Sequence, residues 1–231
     1  IFLALDLGVF HRKPHAVGFG EALMWTSIWF SMSMAFAFWI APAMVGEQWT
    51  GDHTKLFITG YVVELSLSMD NVFVIALIFS FFRVPAEFQH RVLFWGILGA
   101  LIMRAAMILL GASLIHQFHW ILYLFGAFLL ITGIKMLFAG DEEVEPEKNF
   151  AIRLARKFYP VSTQFDGQKF FTELDGRRAL TPLALCLIMV ETTDLIFAVD
   201  SIPAIFGITT EAFIVFTSNV FAILGLRSLY F

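Results

Sequence analysis

Seven apolar runs divide the chain, at 1–10, 22–45, 56–82, 92–115, 119–139, 181–206 and 212–231. Six of them reach about 20 residues or more, the length an α-helix needs to cross the hydrocarbon core of a bilayer. A backbone inside lipid must satisfy its own amides, and with single runs of this length only helices do so. The expected fold class is therefore all-α, a polytopic transmembrane helix bundle. Composition agrees: 59% of residues are hydrophobic and the mean hydropathy is +0.79, against about half apolar in soluble domains. The run at 1–10 reads as the tail of a first helix, and the run at 212–231 as a helix cut short.

The connections carry an orientation signal. One alternating set holds Arg12 and Lys13, then Arg83 and Arg91, then Lys148, Arg153, Arg156, Lys157, Lys169, Arg177 and Arg178 of a long loop. The other set, 46–54, 116–118 and 207–211, holds no Lys or Arg, and Lys55 alone borders it. Short cytoplasmic loops are enriched in Lys and Arg, so the first set is expected on the cytoplasmic side. The long loop, 140–180, opens with an acidic run (Asp141, Glu142, Glu143, Glu145, Glu147) and reads as a solvated linker with an amphipathic helix near 149–158. Asp6 lies near the His11-Arg12-Lys13 cluster, where charge pairing is the simplest role. A net charge of −4 gives no support to nucleic-acid binding. A single cysteine, Cys186, excludes an intramolecular disulfide framework and a cysteine-based zinc site.

Two apolar runs carry the same polar pattern. The first reads Glu64-Leu-Ser66-Leu-Ser68-Met-Asp70-Asn71, the second Glu191-Thr192-Thr193-Asp194-Leu-Ile-Phe-Ala-Val-Asp200-Ser201. Each is followed by a run with a central arginine, Arg104 or Arg227. Two registers are open: Glu64 with Asp194 and Asp70 with Asp200, or Asp70 with Asp194. Three helices separate the copies, an odd number, so the second copy is inverted. The expected organisation is N-terminal helices over 1–55, a first three-helix repeat over 56–139, the loop 140–180, and a second, truncated repeat over 181–231. Inverted repeats are the architecture of many secondary transporters, with the site near the membrane midplane.

Charges at that depth cost several kcal/mol each, and function is their default reading. Glu64, Asp70, Glu191, Asp194 and Asp200 outnumber Arg104 and Arg227, so ion pairing alone leaves about three carboxylates that need a proton, water or a cation. The accompanying donors are hydroxyl and amide oxygens, while every histidine lies at or beyond a helix end. Oxygen donors suit Mg, Ca or Mn better than Zn or Cu. Residues six apart on a regular helix point about 120° away from each other. Glu64 and Asp70 therefore cannot both face one ion on an unbroken helix, nor can Asp194 and Asp200. Pro203 removes a backbone donor beside Asp200, which predicts a kink at 199–203. Ser218 and Asn219 read as interhelical hydrogen-bonding groups. The absence of a deep histidine pair, or of a deep histidine beside a serine or cysteine, argues against a haem enzyme or hydrolase.

The stretches Glu64 to Val74 and Glu191 to Ala204, with Phe221-Ala-Ile-Leu-Gly-Leu-Arg227-Ser-Leu-Tyr, resemble the signatures of the TerC/Alx family across essentially the whole chain. Thr192-Thr193 stands where Leu-Ser is common. The resemblance implies a bacterial inner-membrane protein associated with manganese export and tellurite resistance, continuing for about two helices beyond Phe231. It implies Glu64, Asp70, Asn71, Glu191, Asp194, Asp200 and Ser201 as ion-handling positions, with Asp70, Asp194 and Asp200 ranked first by the geometry. The expected function is a divalent-cation exporter, for Mn(II) by resemblance, coupled to protons. No cofactor or enzymatic activity is expected; the partners are the metal ion, the bilayer and, in a homo-oligomer, further copies. The competing expectation is a membrane organiser or assembly factor linked to metal or tellurite stress, without transport.

Overall fold

The computed structural model describes residues 19–138, 149–174 and 176–230, with backbone alone for Phe19, Glu21, Ala22, Met136 and 226–230. Asp6, the cluster at 11–13, the acidic run at 141–147 and the side chain of Arg227 lie outside the described residues.

Helix α1 (Phe19–Ala35) continues through a π turn (Phe36–Ile40) into α2 (Ala41–Val45). Pro42 has no N–H to return to the preceding turn, and the ladder slips there: Ala41 N–H bonds Phe36 O. That slip leaves the carbonyl of Ala37 free. Trp49 Nε1 donates to it at 3.2 Å and Thr54 Oγ1 at 3.3 Å, anchoring the first helices to the next. Helices α3 (Gly51–Leu67) and α4 (Met69–Phe81) form one apolar span interrupted at Ser68. Helix α5 (Ala86–Gln117) is the longest described, and α6 (Ile121–Phe138) follows after a tight connection. Helix α8 (Pro182–Phe206) starts where Thr181 caps Ala184 N–H with Pro182 in the first turn, and α9 (Ala212–Tyr230) closes the bundle. Four of the described spans are long and apolar enough to cross a membrane: Leu23–Gln48, Gly51–Phe81, Ala86–Gln117 and Pro182–Phe206.

The chain stays helical through 199–203, with Pro203 inside α8. The helix is continuous there, and a separate interruption falls in the first signature, at Ser68. The physical reason is local: α8 is flanked along this stretch by packed side chains (Ala198, Ile202, Ile205 and Phe206 are buried), and neighbouring helices let a membrane helix tolerate proline.

Between the spans, Asn149 Oδ1 accepts from Ala151 and Ile152 N–H at 2.9 and 3.1 Å and starts α7 (Phe150–Phe158), the amphipathic helix read from the sequence. An antiparallel hairpin, β1 (Phe171–Leu174) and β2 (Arg177–Leu180), was not anticipated. Its signal is the Asp175-Gly176 dipeptide between strand-forming residues; Gly176 takes φ of +71°.

Packing across the bundle is reciprocal. Helix α3 packs most extensively on α9, and α5 on α8. Small residues permit both approaches: a Cβ on Gly60 would lie 2.9 Å from Ser218 Oγ, and one on Gly111 would lie 2.7 Å from Phe206. Close backbone approach of this kind carries helix association where lipid removes the hydrophobic drive. The ends of the bundle sort as the basic residues predict. His53 Nε2 meets Glu211 at 3.1 Å, joining two connections free of Lys and Arg. At the other end Arg91 lies over the Phe170 ring, 4.9 Å from its centroid, and Gln168 bonds the carbonyl of Glu87.

Candidate functional site

Arg104 is 1% exposed, midway along α5, and joins four helices. Its Nη1 donates to Glu64 Oε1 of α3 and, at 2.6 Å, to Asn219 Oδ1 of α9. On α8 its Nη2 and Nε reach the two oxygens of Asp194 at 3.2 and 3.5 Å, and Nη1 lies 3.4 Å from Ser201 Oγ. Glu64, wholly buried, accepts further bonds from Ser68 Oγ at 2.8 Å and Asn219 Nδ2 at 3.3 Å. A buried ion pair is tolerable only when its remaining donors and acceptors are satisfied. Here the carboxylate of Glu64 is saturated by a guanidinium, a hydroxyl and an amide. Ser68 supplies that hydroxyl at the helix interruption itself.

Asp70 and Asp200 take no part in this network. With Asn71, Ser68 and Ser201 they line a cleft of about 440 Å³ that has Arg104 in its wall. Asp70 is exposed and Asp200 half-buried. Asn71 is buried, and its Oδ1 makes no hydrogen bond. A second cavity shares Ser68, Asn71 and Arg104 and is lined otherwise by apolar side chains and Asp194. The two are displaced along α8: Val190 and Asp194 border the second, Phe197, Asp200 and Ser201 the first. Ser68, Asn71 and Arg104 border both spaces.

The expected ligands divide accordingly. Asp70, Asp200, Asn71 and Ser201 come together in the cleft. Glu64 and Asp194 are held by Arg104, so Asp194, ranked among the first ligands, faces a guanidinium instead; Arg104 on the opposing helix offers it a two-pronged partner. Glu191 stands apart. Its carboxylate packs on Gly99 of α5, where a Cβ would overlap it, and its Oε2 makes no hydrogen bond. Glu64 and Asp194 thus share Arg104, while Asp70 and Asp200 share the cleft. Thr192 returns its hydroxyl to Ile188 O, at 2.6 Å, and Ser66 to Val62 O, at 2.8 Å; both satisfy their own helix. Lys135, near the end of α6, sits within electrostatic reach of Asp200. Among the described residues, no three His, Cys, Asp or Glu side chains converge as a metal site. The cleft offers two carboxylates with neutral oxygens.

Fold and site together define an integral membrane protein of several helices with a carboxylate cleft beside a buried arginine. The model of the integral membrane protein TerC family matches residues 49–231. The chain belongs to that family. It is 53% identical, over 99% of its length and 70% of the relative's, to an uncharacterized membrane protein of Myxococcus xanthus. It is 47% identical, over its full length and 73% of the relative's, to the Alx proteins of Escherichia coli K12 and Photorhabdus laumondii, which carry the provisional description of membrane-bound redox modulators. No solved structure matches the chain significantly.

Proposed function

We propose that the chain exports a hard divalent cation, Mn(II) by its family resemblance, across the bacterial inner membrane, coupled to proton movement. The observation that carries this reading is the convergence of Asp70 and Asp200, one from each copy of the polar pattern, on a cleft whose other polar groups, apart from Arg104, are the oxygen-bearing Ser68, Asn71 and Ser201. Such a donor set suits Mn or Mg, and only two acids keep the ion held loosely enough to leave. The unpartnered Oδ1 of Asn71 supplies a further neutral oxygen. The two cavities, displaced along α8 and both bordered by Arg104, favour a path along the bundle axis. Reciprocal packing of α3 on α9 and α5 on α8 supports an inverted repeat, the arrangement in which one half rocks against the other. Resident cofactors and enzymatic chemistry have no part in this reading.

Cells lacking the protein should accumulate manganese. Asp70→Asn and Asp200→Asn should each fail to restore export while the protein still reaches the membrane. Normal export by both variants would remove the cleft from the path. The description of the Alx relatives favours a second reading, a membrane organiser or redox modulator in which the Arg104 network is purely structural. Cys186 is buried and has no second thiol within these residues, so dithiol exchange within the chain is not its chemistry. Purified protein in liposomes separates the readings: manganese flux that follows a proton gradient supports a carrier, and no flux under any gradient supports the organiser.

A further inference from the structure

Helix α7 has two apolar faces. One buries Ile152, 0% exposed, with Ala155 against the cluster formed by Leu183, Met189 and Val190 of α8. The other carries Phe150, Leu154 and Phe158, spaced four apart on one stripe and exposed by 75, 44 and 70%. Water has no use for two exposed phenylalanines on so short a helix. Lys157 and Arg153 border the stripe on one side, and Arg156 continues the exposed basic face beyond them. Basic residues beside an apolar face are the pattern of helices that lie in a membrane interface.

Position agrees with pattern. The side chain of Asn149, the cap of α7, lies 3.2 Å from Met189 Sδ. Met189 is seven residues into α8, about 10 Å along a helix that crosses the bilayer. Helix α7 therefore lies beside the end of the span and not above it, at the depth that interfacial helices occupy. The adjoining hairpin repeats the chemistry: Phe171 and Leu174 are exposed, and Arg178 lies 5.6 Å over the Phe171 ring. From Asn149 to Leu180 there are six Lys or Arg against three Asp or Glu.

We infer that α7 and the hairpin form a docking surface for the anionic lipid headgroups of the membrane the protein spans, with Phe150, Leu154 and Phe158 inserted and Arg153, Arg156 and Lys157 on the phosphates. Each such basic residue near an anionic surface contributes enough that losing all three shifts the docked equilibrium on the order of a hundredfold. The surface is independent of what the cleft carries.

The test uses the whole chain in vesicles. Cys186 is buried, so Leu154→Cys gives a selective anchor for a polarity-sensitive fluorophore. In vesicles of equimolar phosphatidylcholine and phosphatidylglycerol, lipids brominated near the headgroup end of the chain should quench it. Quenching should fall sharply in pure phosphatidylcholine, in high salt, and on combining Arg153→Gln, Arg156→Gln and Lys157→Gln. Circular dichroism of that combined variant should remain helical, which keeps unfolding from imitating release. No quenching in either vesicle would overturn the proposal, as would quenching indifferent to phosphatidylglycerol and to the three substitutions. Quenching replaced by energy transfer between labelled copies would assign the surface to a second protomer and overturn it equally.

Discussion

Glu64 and Asp70 stand six residues apart in one signature, yet their surroundings are opposite. Glu64 is wholly buried and saturated by Arg104, Ser68 and Asn219, whereas Asp70 opens on a cleft that it lines with Asp200 and Arg104. The second copy repeats the division, with Asp194 on Arg104 and Asp200 in the cleft. The comparison shows how one span can hold itself together and still present a free carboxylate. On the continuous α8 a six-residue step turns Asp200 about 120° from Asp194; in the first signature the interruption at Ser68 lies between the two acids. The inner acid meets the facing helix, and the outer one faces an opening.

That division predicts opposite phenotypes, ordered here by their effect on stability. Removing the hub is most severe. Arg104→Met strands Glu64 as an unpaired buried charge and should cost about 3–5 kcal/mol, seen as a large loss of thermal stability in detergent; an unchanged melting temperature would break the distinction between the two acid pairs. Glu64→Gln keeps an acceptor and leaves Arg104 on Asp194, so about 1.5–3 kcal/mol is expected, the scale of one charged hydrogen bond. Gly99→Ala drives a methyl into the Glu191 carboxylate, and overpacking of this sort costs about 1–3 kcal/mol; the same thermal assay reads it, with wild-type stability meaning that Glu191 turns away freely. Asp70→Asn and Asp200→Asn should fall within about 0.5 kcal/mol of the parent while abolishing manganese export. A stability loss comparable to that of Glu64→Gln would place them with the structural pair. The smallest effect lies outside the membrane. Lys169 and Thr172 bond the half-buried Asp166 and hold its carboxyl below the ordinary value of 3.8. Its contribution to the loop is complete above that value and disappears as pH falls through the lowered one. Amide protection near β1, corrected for the intrinsic pH dependence of exchange, should fall slightly on acidification, and Lys169→Met should weaken that dependence, with the Thr172 bond remaining.

Much of the bundle is legible from run lengths. The helices at 22–45, 56–82, 92–115, 119–139, 181–206 and 212–231 reappear within a few residues, because lipid leaves the backbone no alternative. Helix α7 is readable too, since an exposed helix at a surface must declare its faces. The hairpin was hidden by the charges around it, though Asp175-Gly176 marks its turn. Which acids meet Arg104 is not contained in either signature. It depends on helices α5 and α8 approaching closely at Gly96, Gly99 and Gly111, and interhelical register is set by such contacts. Proline is the visible helix breaker, yet the interruption at Ser68, whose hydroxyl serves Glu64, carries no such mark in the sequence. Nor does Lys135: its reach toward Asp200 is a property of how α6 lies on α8.

The Arg104 network also has an order in time. A chain entering a membrane is made from its N-terminus, and the partners of Arg104 lie 40 residues behind it, at Glu64, and 90 and 115 residues ahead, at Asp194 and Asn219. When α5 is handed to the lipid, Glu64 is the acid partner already synthesised. The arginine can thus be neutralised at insertion by a helix that precedes it, long before α8 and α9 exist. Asp194 arrives afterwards, with α8, and gives the network one more formal negative charge than positive.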